Sequence, residues 1–129
     1  MEPSIFTRII KGEIPCYKVY EDDQVLAFLD TEPVTEGHVL VIPKQQVDHL
    51  WDLGDELYQH VMEVARSIAQ RQREVLRPKR VGMAVEGFAV PHAHVHVFPI
   101  NKGLEKTIAD KIGKLPEERL VAMAKRLKF

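Results

Sequence analysis

The segment Pro91-His92-Ala93-His94-Val95-His96-Val97-Phe98-Pro99 places three of the chain's six histidines at alternate positions. Residues two apart on an extended chain share a face. His92, His94 and His96 would then present their imidazoles together, while Ala93, Val95 and Val97 turn towards a core. Three chemistries compete for such a row. A plain polar face is one, although Thr, Lys or Glu usually fill it. A metal site is the second, since histidine is the commonest metal ligand. At about 3.3 Å per residue, His92 and His96 have Cα atoms about 13 Å apart. Both ends can hardly reach one ion at about 2.0–2.1 Å. A neighbouring pair would need outside ligands, with His38, His49 and His60 the remaining histidines. The third is catalysis with divided labour. A neutral imidazole is a nucleophile when its other nitrogen keeps the proton against an acceptor. Flanking imidazoles can donate to developing negative charge or pass protons near neutrality. Phosphoryl centres suit this arrangement, because their transfer needs positioning and charge stabilisation above all.

These residues need a scaffold, and 129 residues suit one domain, taken as 1–129. Apolar residues make up 45% and charged residues 29%, an ordinary globular balance, and the net charge of −1 provides no field for nucleic acid. The locally basic stretch 101–129 reads as a solvated helix face. The single cysteine, Cys16, forbids an intrachain disulfide and fits a reducing compartment. Met1 to Ser4 starts acidic and lacks an apolar leader core. No apolar run approaches the roughly 18 residues of a membrane span. A cytoplasmic protein without membrane or nucleic-acid partners is expected.

Phe6, Ile9 and Ile10 share one helical face, which predicts a short helix over 4–11, ended near Gly12. Strands are predicted at 18–21 and 25–29, joined by an Asp22-Asp23 turn, and at 38–43. A long helix is expected from about Gly54 to Leu76, with Leu57, Val61, Val64, Ile68 and Val75 as its stripe, ended by Pro78. Strands follow at 80–86 and through the histidine row itself. Leu115-Pro116-Glu117-Glu118 opens a last helix, with Leu120, Val121, Ala124 and Leu127 on its apolar side. The element order predicts an antiparallel sheet with helices packed on it, an α+β fold.

HAHVHVF at 92–98 resembles the His-φ-His-φ-His-φ-φ signature of the histidine triad nucleotide-binding superfamily. IFTRIIKGEIPCYKVYEDDQVLAFLDTEPVTEGHVLVIPK at 5–44 resembles the amino-terminal half of that family almost without gaps. The resemblance covers roughly 4–99, leaving 100–129 as a carboxy-terminal helical extension, and is closest to the nucleoside phosphoramidate hydrolase branch. It implies a five-stranded antiparallel sheet per subunit and a homodimer. It also implies that His94 attacks the α-phosphorus of a purine nucleotide and forms a nucleotidyl-histidine. His92 would support His94, His96 would contact the phosphate, and His38 would lie beside the triad. Asp30, next to Thr31, would bind the ribose hydroxyls. Phe6, Ile9, Phe28 and Leu40 would hold the base, and backbone groups of the loop around Gly87, Ala89 and Val90 would hold phosphate. The chemical step would need no metal or other cofactor. On residue type alone, the apolar four could equally be core, Asp30 a turn former and His38 structural. A purine-nucleotide-binding module with little activity, or a metal-binding protein using part of the histidine cluster, are the alternatives.

Three departures from the family pattern stand out. Ser4 and Thr7 occupy positions of a Cys-x-x-Cys that in many relatives binds structural zinc, and Gln46 stands where a histidine is common. No such zinc is expected. The loop before the triad is short, with Val85 where a polar side chain often stands. Ala89 lies near a serine position and has no proton to give a leaving group. The extension over 101–129 is left with three possible roles: covering the sheet, widening a dimer interface, or shaping the substrate mouth.

Overall fold

The computed structural model describes residues 1–129. Its elements are helix α1 (Ile5–Ile10), strands β1 (Lys18–Glu21), β2 (Val25–Leu29) and β3 (Val39–Pro43), a 3₁₀ turn (Leu50–Asp52), helix α2 (Asp55–Leu76), strands β4 (Arg80–Ala84) and β5 (Val95–Ile100), and helices α3 (Leu104–Ala109) and α4 (Glu117–Leu127). The strands form one antiparallel five-stranded sheet in the order β1-β2-β3-β5-β4. The α+β architecture expected from the sequence is therefore present.

The two faces of the sheet bury different things. One face carries Val19, Val25, Ala27, Leu29, Val39, Val41, Val95 and Val97 and packs against α2 and α4. On α2 the buried positions are Val61, Val64, Ala65, Ile68 and Gln72. Gln72 is wholly buried, and its Nε2 donates to the carbonyls of Gly37 at 2.9 Å and Val97 at 3.0 Å. The other face carries Leu26, Phe28, Leu40 and Ile42, covered by Phe6 of α1. β2 and β3 are buried on both faces, which is why they read as unbroken apolar runs. Gly37, just before β3, has φ of +92°, and a Cβ there would meet Leu76 Cδ1 at 2.6 Å. Only glycine fits that turn.

Several boundaries differ from the sequence reading. β5 begins at Val95, so His92 and His94 precede the ladder rather than lying in it. The Ala93 N–H donates to the Val47 carbonyl at 2.7 Å instead of to a neighbouring strand. The alternation survives nonetheless: Ala93, Val95 and Val97 enter the helix-side core, and the histidines lie opposite. β4 stops at Ala84, short of Glu86, and β3 starts after His38. α3 was not anticipated. α4 buries Leu120, Met123 and Leu127 and leaves Val121 41% exposed, so its apolar face is rotated from the one expected.

The extension does one of the things left open for it, covering the sheet, and also holds a loop. α4 packs on α2 and on the β1–β2 end of the sheet. Residues 112–115 lace onto the loop before β3: Ile112 N–H donates to Val34 O, Gly113 N–H to Pro33 O, and Leu115 N–H to Thr31 O. That loop follows Asp30, so the extension braces the edge of the histidine face.

Candidate active site

β-register sets the first part of the site. Phe28 pairs with Leu40 across β2–β3, and Leu40 pairs with His96 across β3–β5. Residues directly opposite in a ladder share a face, so an apolar row ends on an imidazole. A cavity of about 420 Å³ opens over this row. Phe6, Ile9, Phe28, Leu40, Asp30, Thr31, Ala89, Val90, His94 and His96 all line it. Of the residues expected at a nucleotide site, Gly87 is placed elsewhere: it lines a second cleft on the other side of the loop. His92 and His38 lie behind the cavity wall, 0% and 2% exposed.

His92 Nε2 lies 2.8 Å from the Pro43 carbonyl, which can only accept. Nε2 therefore carries the proton, and Nδ1 accepts from Ser4 Oγ at 2.7 Å. Burial, the dominant cause, and His94 push the His92 pKa below its ordinary value, against the Pro43 hydrogen bond. The ring is neutral at pH 7. The carbonyl of His92 then accepts from His94 Nδ1 at 2.7 Å. His94 in its neutral form holds its proton on Nδ1 and keeps a lone pair on Nε2. The Phe6 ring meets His94 edge-on at 5.1 Å and fixes its plane.

His96 is set the other way round. Val34 N–H donates to His38 Nδ1 at 3.0 Å. The His38 proton must then be on Nε2, and it is donated to His96 Nδ1 at 2.9 Å. His96 consequently holds its own proton on Nε2. Burial first, then His96 and Lys111, pushes His38 down to about 3. Burial, with His94 and Lys111, pushes His96 down to about 4. Both rings are neutral at pH 7. The pair at the cavity is thus a lone-pair nitrogen on neutral His94 beside an N–H donor on His96, with ring centroids 5.1 Å apart.

Asp30 does form a turn, its Oδ1 accepting from Glu32 N–H at 2.9 Å. Its Oδ2 lies 3.8 Å from His38 Nε2, and the side chain lines the cavity, where it can accept from hydroxyls. Burial pushes its carboxyl above the ordinary value, opposed by the Glu32 N–H and the Lys111 charge.

Two groups of residues could be asked to hold a metal. Asp30, His38 and His96 bring ligand atoms within 4.8 Å of one another. The lone pair of His38 Nδ1 is committed to Val34 N–H, and its Nε2–H points at His96, so this trio does not fit as it stands. Ser4, Thr7 and Gln46 converge with His92, as the zinc positions of relatives would. Their donors are neutral oxygens rather than thiolates, unlike structural zinc sites. They are also spent on one another. Thr7 Oγ1 donates to Gln46 Oε1 at 2.6 Å, Ser4 N–H donates to the same oxygen at 2.8 Å, and Gln46 Nε2 donates to Glu2 O at 2.8 Å. Sequence reasoning saw these three residues only as departures. The structure makes them the support of His92, and the Ser4-x-x-Thr7 helix cap was the available signal. Lys111 and the Val34 amide gave no signal.

The class follows from a four-histidine cluster on one face of a five-stranded sheet, above an apolar cavity with a carboxylate at its edge. The chain belongs to the HIT family: residues 11–103 match the HIT domain. It is 33% identical to the adenosine 5'-monophosphoramidase HNT1 of Saccharomyces cerevisiae, over 92% of this chain and 82% of that protein. It is 40% identical to protein hit of Bacillus subtilis, over 76% of this chain and 71% of the relative. The crystal structure of a Hit-like protein involved in cell-cycle regulation from Bartonella henselae, with an unknown ligand, superposes with a TM-score of 0.85. That pair shares 32% identity, over 97% of this chain and 94% of the other.

Proposed function

We propose that this chain, a HIT-type nucleotide hydrolase, cleaves substituted nucleotides at the α-phosphate through a nucleotidyl-histidine on His94. A purine base enters the apolar cavity between Phe6, Ile9, Phe28 and Leu40, and Asp30 takes the ribose hydroxyls. The His94 Nε2 lone pair attacks phosphorus, and the bond to the leaving group breaks. His96 Nε2–H donates to the phosphoryl oxygen as charge builds there. Water then attacks the nucleotidyl-histidine, releases a nucleoside monophosphate and restores His94. No metal enters these steps. The observation that carries this reading is the 2.7 Å bond from His94 Nδ1 to the His92 carbonyl, which leaves the opposite nitrogen free in a ring that lines the cavity.

The same reading includes a homodimer in a reducing, cytoplasmic setting. β4 is an edge strand with Met83 49% exposed, a surface a second copy would cover, and sedimentation reports the mass directly.

The test is chemical trapping. An adenylate with a good leaving group is mixed with protein, quenched and weighed. A nucleotidyl adduct on the native chain, absent from His94→Asn, supports the reading. His94→Asn should lose at least about 10⁴-fold in turnover while still binding nucleotide, as loss of a nucleophile does. No adduct and no turnover across substrates would favour a binding module instead. Turnover that a chelator abolishes would favour a metalloprotein.

A further inference from the structure

Gln72 is a polar residue at a core position. Val61, Val64, Ile68 and Gln72 follow the three- and four-residue spacing of the α2 stripe, and Gln72 is wholly buried. Its Nε2 donates to the carbonyls of Gly37 at 2.9 Å and Val97 at 3.0 Å, which fixes the amide orientation because carbonyls only accept. Its Oε1 is buried with no donor. An orphan acceptor costs stability, and methionine would fill nearly the same space without one. Packing alone therefore does not account for a glutamine here.

The ladder supplies a reason. β3 pairs with β5 in the register Val39↔Val97. Continued by two residues, that register sets Gly37 opposite Pro99, and a Cβ on Gly37 would lie 3.6 Å from Pro99 Cγ. Proline has no N–H to give across the ladder. The Gln72 amide, reaching in from α2, brings donors to the place where the strand lacks one. What it holds are the immediate neighbours of two rings. Gly37 precedes His38 and Val97 follows His96, and on the opposite face His38 Nε2 and His96 Nδ1 lie 2.9 Å apart.

We propose that Gln72 is a positioning residue for the reaction: from the helix side of the sheet it clamps the backbones that carry His38 and His96, and so keeps the His96 N–H aimed at the phosphoryl group. The proposal rests on the His94 mechanism above, in which that N–H is the phosphoryl donor. His92 and His94 are held differently. They precede β5, and their segment is anchored on the carbonyls of Pro43 and Val47. Loss of the clamp should therefore loosen the His38–His96 pair and spare His92 and His94. A misplacement of about 1 Å in a catalytic group can cost on the order of 10²-fold in rate.

Gln72→Met tests this, because it removes both donated bonds and the orphan acceptor at nearly constant volume. With adenosine 5'-monophosphoramidate as substrate, kcat should fall by about 10-fold while KM stays within about twofold. Imidazole ¹⁵N shifts give a reading that a purely structural role would not move. In the native protein His38 and His96 should both report a proton on Nε2. In the variant these two should shift towards mixed tautomers, while His92 keeps its proton on Nε2 and His94 on Nδ1. In a His96→Ala background, Gln72→Met should lower kcat no further, since the group it positions is gone. Gln72→Asn, which withdraws the amide by one methylene, gives the same readings if the methionine variant does not fold. A lower melting temperature with native kcat and unchanged tautomers would overturn the proposal. So would equal disturbance of all the rings, or a further loss of kcat in the His96→Ala background. Failure of the parent reading has a separate signature: the native chain itself leaves no adduct on His94 in the trapping experiment.

Discussion

Two hydrogen-bond chains converge on the cavity, and they differ in what they start from. The first contains Ser4, Thr7 and Gln46 around His92, whose proton is anchored on a carbonyl, that of Pro43. The second starts at an amide N–H, that of Val34, and runs through His38 to His96. The first ends in a ring whose cavity nitrogen is a lone pair. The second ends in a ring whose cavity nitrogen is an N–H. Two chemically identical side chains, two positions apart, are given opposite roles by the polarity of the backbone group behind each. Division of labour in the triad is therefore a property of its surroundings more than of its motif.

Breaking the second chain at its end should cost most. His96→Ala removes the imidazole N–H donor set beside His94, so kcat should fall by about 10²–10³-fold, the usual cost of one such donor. Nucleotide affinity should change far less, and steady-state kinetics with equilibrium binding separate the two. An unchanged kcat would mean that the His38–His96 chain does not serve the phosphate.

Breaking the first chain upstream should cost less. Ser4→Ala deprives His92 Nδ1 of its buried partner at 2.7 Å, while Nε2 stays on Pro43. His92 loses one of two anchors, and its carbonyl then holds His94 less rigidly. A loss of about 10-fold in kcat is expected, the low end for outer-shell partners. Stability should drop by about 1–3 kcal/mol from the unsatisfied nitrogen, read by urea titration. A drop in stability with no change in kcat would leave Ser4 as a helix cap alone.

How much of this was legible beforehand depends on how local each signal was. The apolar runs of β2 and β3, the stripe of α2 and the alternation in 92–97 are all encoded within a few residues, and they gave the sheet and the face of the triad. Family resemblance then named the residues of a nucleotide site, and ten of eleven, from Phe6 to His96, line one cavity, with Ala89 and Val90 on the loop above them; Gly87 does not. What was missed is non-local. Ser4 and His92 are 88 positions apart, and no pattern pairs a serine with that imidazole. The start of β5 depends on Ala93 N–H choosing the Val47 carbonyl, a tertiary contact. α4 offers both Val121 and Met123 as apolar candidates, and only packing on α2 and the sheet decides between them.

pH offers a gentler way to sharpen the comparison. His38 and His96 are held at about 3 and about 4 in the folded protein, below the ordinary 6.5. As pH falls through 6.5 the unfolded chain takes up protons that these folded rings refuse. Their contribution to stability is complete above that value and is lost as pH falls towards 4 and then 3. Thermal melts between pH 7 and 4.5 should show a falling midpoint, and His96→Asn should flatten the slope. An identical slope in the variant would show that other groups dominate acid sensitivity.

The smallest expected effect concerns Lys111, which lies just before the 112–115 segment that the extension laces onto the loop carrying Val34. Its positive charge opposes protonation of both His38 and His96, but burial is the larger cause in each. Only the second chain should feel its removal, because the protonation of His92 is set by burial, the Pro43 carbonyl and His94. Lys111→Met should therefore raise the titration midpoints of His38 and His96 by a fraction of a unit, as loss of one exposed, solvent-screened charge does. His92 should stay put. Imidazole proton shifts followed by NMR distinguish the rings. Movement of all three by the same amount would mean a general loosening of the face, and would break the separation of the two chains.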